Sequence, residues 1–151
     1  MMRDVSLDDK YSQVHGRVLL SGTQALTRLP MVQHLHDRAA GLRTGGFISG
    51  YQGSPITTLD LNLLPSRALL AEHNIFFQPA VNEELAATAC WGSQQLRNFA
   101  PGDTQGAFAM WYGKGPGVDR ASDALKHGNH SGTHPLGGVL VGFAEDHAVK
   151  S

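Results

Sequence analysis

Apolar residues in this chain fall into two alternating patterns, short runs bounded by glycine and longer stretches at helical spacing. Between Gly22 and Ala40, Leu26, Leu29, Val32, Leu35 and Ala39 recur every three or four residues and predict a helix, with Pro30 as a kink or boundary. Thr44-Gly45-Gly46-Phe47-Ile48-Ser49 is a short apolar run that suits a buried strand. Residues 58–72 carry Leu59, Leu63, Leu64, Leu69 and Leu70 and predict a helix broken at Pro65. The same alternation continues with a brief strand over 74–78, a helix over 82–97 and a strand over 106–111. A glycine-rich loop, a helix over 119–127 and a last strand over 137–143 follow. Strands that alternate with helices predict an α/β domain, its mostly parallel sheet covered by helices on both faces.

Residues 1–15 are polar and aperiodic and are expected to form an arm that needs something to dock on. The domain proper is expected over 16–151. A length of 151 residues suffices for one core. The net charge of −1, without a Lys/Arg cluster, argues against nucleic-acid or membrane-surface partners. With no apolar signal core or spanning stretch, the expected location is cytoplasmic. Cys90 is the single cysteine, which rules out an intrachain disulfide and suits a packing role. The 18 glycines lie mostly at joints between apolar runs, as tight turns in an ordered domain require.

Ligands of parallel sheets bind beyond the carboxyl ends of the strands. Three junctions there are chemically unusual. Gly50-Tyr51-Gln52-Gly53-Ser54-Pro55 offers close backbone approach and a hydroxyl. Asn82-Glu83-Glu84 places two carboxylates in a first helical turn, where the helix dipole alone favours them by about 0.3–1 kcal/mol each. Trp111 to Arg120 contains Gly113-Lys114-Gly115 but lacks the hydroxyl and the leading spacing of a nucleoside triphosphate loop. His127, His130 and His134 lie close together without a nearby cysteine or carboxylate to complete a tetrahedral site, so no metal site is expected and loop positions suit them better. His34 and His36 do not share a helix face and are expected in solvent.

Taken together, Gly50 to Pro55, Val81-Asn82-Glu83, the glycine-rich loop through Lys126-His127 and the closing Ala144-Glu145-Asp146-His147 resemble the first domain of indolepyruvate ferredoxin oxidoreductases. These are thiamine-diphosphate-dependent 2-oxoacid:ferredoxin oxidoreductases, and the resemblance runs from about Val5 to Ser151. It implies a pyrimidine-binding α/β domain in which Glu83 is the thiamine-activating glutamate. A carboxyl bonded to N1′ of the aminopyrimidine favours the imino tautomer that removes the C2 proton.

The resemblance further implies that Gly50, Tyr51, Gly53, Ser54 and Pro55 reach the cofactor and the substrate carboxyl. Ser54 stands where relatives often carry threonine, and Gln52 where many carry proline. Lys126 and His127 fall in a matching stretch as pocket candidates, and Asp146 and His147 follow the last strand towards the same crevice. The implied substrate is an aryl 2-oxoacid, converted to an acyl-CoA with coenzyme A and ferredoxin as partners. The Mg2+ ligands of a diphosphate-binding domain and the cysteines of [4Fe–4S] clusters are not in this sequence. The chain therefore reads as an N-terminal fragment, inactive alone, that meets a diphosphate-binding domain or subunit in an oligomer. Two alternatives stand beside this reading: a non-catalytic α/β binding or regulatory module, and another thiamine-diphosphate enzyme without iron–sulfur clusters.

Overall fold

Four parallel strands in the order β2-β1-β3-β4 form the centre of the computed structural model, which describes residues 6–52, 56–99 and 102–145. In chain order the elements are α1 (Asp9–Ser12), α2 (Gly22–Ala39), β1 (Thr44–Gly50), α3 (Thr57–Leu63), α4 (Arg67–Glu72), β2 (Ile75–Phe77), α5 (Glu83–Ser93), a 3-10 turn (Leu96–Asn98), β3 (Gly106–Lys114), α6 (Gly115–Arg120), α7 (Ser122–Ser131) and β4 (Gly138–Ala144). This is the α/β architecture that the alternation predicts. The break at Pro65 separates α3 from α4 as expected.

Alternate residues of β3 feed two cores, because successive strand side chains point to opposite faces. Met110 and Tyr112 pack with Met31, Ile48, Leu63 and Leu70 beneath α2, α3 and α4. Ala109 and Trp111 pack with Ala86, Cys90, Ala121 and Ala124 beneath α5, α6 and α7. The small residues of α5 let that helix lie close on the sheet.

Several expectations need correction. α2 starts in a capping box, Ser21 accepting from the Gln24 N–H while Gln24 accepts from Ser21, and runs through Pro30 without ending. Its buried stripe is Thr27, Pro30, Met31 and His34, whereas Leu29 is 46% exposed. His34, expected in solvent, is therefore only 6% exposed. The segment around α1 docks on its own chain: Tyr11 enters the core, and the Arg28 guanidinium donates to the carbonyls of Lys10 and Gln13 at 2.7 and 2.5 Å.

The largest difference concerns the glycine-rich segment after Trp111. It is strand and helix rather than loop. Tyr112 pairs with Gly50 on one side and Gly142 on the other, so β3 continues to Lys114. α6 then begins at once, with Pro116 in its first turn, where a missing N–H removes no helical bond. α7 extends to Ser131, so His127 and His130 are helical, not loop, residues.

His34 meets His73, the residue after α4, edge to face with ring centroids 5.7 Å apart. Each has a buried Nδ1 with no partner among the described residues. Burial lowers the pKa of both, Arg38 adding to it for His34 and the neighbouring His34 for His73. The unfolded chain therefore takes up protons near the ordinary value of about 6.5 that the folded chain resists. Stability should fall as pH drops below that value towards the lowered folded pKa values. Urea midpoints at pH 7.5 and 5.5 measure this, and a His34→Phe/His73→Phe variant should lose most of the difference. Asp60, whose raised pKa acts in the opposite sense, is left untouched by that change.

Candidate functional site

β1 is followed by β2 on one side and β3 on the other, so the chain reverses its direction across the sheet between β1 and β3. The carboxyl ends of these two strands flank the crevice where open α/β sheets bind ligands. Gly50 ends β1, Lys114 ends β3, and α5 starts beside them after β2. Tyr51 continues the edge in a parallel bridge with Ala80 and is 39% exposed. Gly53, Ser54 and Pro55 lie outside the described residues, as do Asp146 and His147.

Asn82 opens α5 in extended conformation, and its side chain accepts from the Leu85 N–H at 2.8 Å. That bond satisfies one of the free donors of the first turn and fixes where the helix begins. Glu83 is then its first residue. The Trp111 indole, rising from the buried face of β3, donates to the Glu83 carbonyl at 3.0 Å. The Glu83 side chain lies half-buried over Gly117 of α6, while Glu84 is exposed. Gly117 leaves room for this position of the side chain, because a Cβ would stand 2.7 Å from Glu83 Cγ and 3.1 Å from Oε1.

A second carboxylate flanks the same short helix. Glu145, just beyond β4, has its carboxyl where a Cβ at Gly115 would go. Glu83 and Glu145 thus lie against the two glycines on either side of Pro116. Sequence reasoning assigned Glu145 no role. Its position directly after an apolar strand was the available signal.

Below the crevice, on the α3 side, the Tyr112 hydroxyl donates to buried Asp60 Oδ1. Burial raises the Asp60 pKa, the bond from Tyr112 opposing it, and burial together with Asp60 pushes the Tyr112 hydroxyl far above its ordinary value. Asp60 Oδ2 has no partner among the described residues. The Tyr112 ring also explains Gly50: a Cβ at that position would stand 2.5 Å from Tyr112 Cε2, Cζ and the Tyr112 carbonyl. Gly50 therefore makes room for a neighbouring strand as well as for close backbone approach at the edge.

No family model, curated protein or solved structure matches this chain. The assignment of chemistry rests on the residues themselves. Among the described residues no group of three or more His, Cys, Asp or Glu is placed to hold a metal ion. No helix among them is long and apolar enough to cross a membrane.

The structure brings Gly50, Tyr51 and Glu83 to one edge of the sheet and places Lys126 and His127 elsewhere. Both belong to α7, where His127 stacks on Trp91 of α5. Trp91 is eight residues from Glu83, about 12 Å along the helix. These two residues are not part of the cluster around Glu83.

A Gly117→Ala substitution should move the flexible Glu83 side chain and leave the fold intact, since the obstructed atoms belong to that side chain. If Glu83 acts in a reaction, displacement by about 1 Å should lower the rate by up to about 10²-fold. The unchanged urea midpoint is the control.

Proposed function

We propose that this chain supplies the pyrimidine half of a thiamine diphosphate site in a 2-oxoacid:ferredoxin oxidoreductase of the indolepyruvate type. One observation carries the reading: Glu83, first residue of α5, packs its carboxyl on Gly117 beside the β1/β3 crevice, its main chain held by Trp111. A carboxylate that rests against a glycine at this end of the sheet suits a planar ring nitrogen. The residues present fit the group in this limited sense: Glu83 would meet N1′ of the aminopyrimidine, and the Gly50–Tyr51 edge would border the ring.

When bound, the thiazolium ring supplies the electron sink on which a 2-oxoacid loses carbon dioxide. The chain's own contribution is to hold a proton between Glu83 and the ring nitrogen and to fix its direction. The Asn82 cap and the Trp111 bond keep that carboxylate in place without reorganisation during the reaction.

Conversion of an aryl 2-oxoacid to its acyl-CoA, with ferredoxin as acceptor, further requires a diphosphate-binding domain or subunit, Mg2+ and [4Fe–4S] clusters outside this chain. The cytoplasm is the setting this chemistry fits. With thiamine diphosphate and indolepyruvate alone, the 151-residue chain should release no carbon dioxide. Release at a measurable rate, followed with carboxyl-labelled substrate, would contradict the half-site reading.

A further inference from the structure

A cavity of about 250 Å3 lies between α5, α7 and β4, away from the Glu83 crevice and independent of the reading given to it. Ala87, Cys90, Leu125, Val139 and Val141 form most of its wall, and Trp91 closes one side. His127 stacks on the Trp91 indole at 5.8 Å and 15°, and His127 Nε2 lies 3.5 Å from Asp123. The pyrrole edge of the indole faces Gly128, where a Cβ would stand 3.7 Å from Cδ1, and Gly128 also lines the cavity.

The Trp91 Nε1 donor is buried and has no acceptor among the described residues. Trp111, the other tryptophan, has its donor satisfied by the Glu83 carbonyl. A buried N–H left unpaired costs about 1–3 kcal/mol, and buried indoles ordinarily find a partner. Asn129 and Thr133 also line the cavity, whereas Gln94 and Cys90 are committed elsewhere. Gln94 Oε1 accepts from the Gly138 N–H at 2.7 Å. The Cys90 thiol donates to the Met110 carbonyl, and burial pushes its pKa up to about 12, so it stays a thiol.

We propose that the α5–α7 cavity binds a small, mainly apolar molecule that carries one hydrogen-bond acceptor for the Trp91 indole. A cavity of about 150 Å3 takes a benzene ring, so this one takes a single ring with a short polar substituent. Shape comes from the strand and helix side chains, orientation from the indole N–H. The stretch around His127, which the Glu83 cluster does not use, thereby acquires a role as the plate that positions Trp91.

Acetophenone is a suitable probe and ethylbenzene its counterpart of similar size without an acceptor. In 15N-labelled protein the two indole N–H resonances are separable, that of Trp91 being the one lost in Trp91→Phe. Acetophenone should shift the Trp91 resonance saturably and leave that of Trp111 in place. Ethylbenzene, followed at the Leu125 and Val139 methyl resonances, should bind about tenfold more weakly, the worth of one buried hydrogen bond. Val141→Phe, which fills the cavity from a partly exposed strand position, should abolish the acetophenone shift. In Trp91→Phe the two probes should bind equally. No saturable shift up to the solubility limit, an equal shift at Trp111, or equal affinity of the two probes for the unaltered protein would overturn the proposal.

Discussion

Trp111→Ala should lower the unfolding free energy by about 3–5 kcal/mol, a large part of the roughly 5–15 kcal/mol typical of a folded domain. Trp111 is fully buried at the centre of β3, between β1 and β4, and packs with Cys90, Ala121 and Ala124. Alanine would leave a cavity that the small residues of α5 cannot fill. The same change removes the donor to the Glu83 carbonyl, so the start of α5 loses its tie to the sheet. Trp111→Phe separates the two effects. It keeps most of the volume and loses the bond, and should cost about 1–2 kcal/mol. Urea unfolding of the three proteins measures both, and a cost below about 1 kcal/mol for alanine would contradict the packing described.

The elements legible in the sequence were those whose signal is local. β1 is an apolar run between glycines, α3 and α4 divide around a proline, and α5 begins at the Asn82-Glu83-Glu84 junction. What escaped depends on partners distant in the chain. Tyr112-Gly113-Lys114 reads as loop from composition, and becomes strand because β1 and β4 pair with it on both sides. His34 is buried by His73, and Asp60 by Tyr112, across 39 and 52 residues. Helical periodicity located α2 but misjudged its face, since Leu29 and Met31 look equally apolar until the sheet chooses between them.

The candidate site divides in the same way. The helix start at Glu83 was readable from residue chemistry, and the parallel sheet then sets Gly50 and Tyr51 on the same edge. The contact of Glu83 with Gly117, and that of Glu145 with Gly115, required the three-dimensional arrangement. Lys126 and His127 were grouped with Glu83 through resemblance, and α7 carries them to Trp91 instead.

Replacing the Glu83 carboxyl by an amide has the largest functional consequence expected for any single change. Glutamine preserves the length of the side chain, its fit over Gly117 and the capped start of α5, so the fold should persist. It removes the acid that would hold a proton against the pyrimidine nitrogen, a contribution worth about 10²–10⁴-fold for general acid–base catalysis. The decisive measurement is the exchange of the C2 proton of thiamine diphosphate with deuterium, in the enzyme assembled from this chain and the diphosphate-binding domain or subunit proposed for it. Glu83→Gln should slow exchange by at least about 10²-fold while Glu84→Gln leaves it within a few-fold. Exchange at the unaltered rate in Glu83→Gln would contradict the assignment.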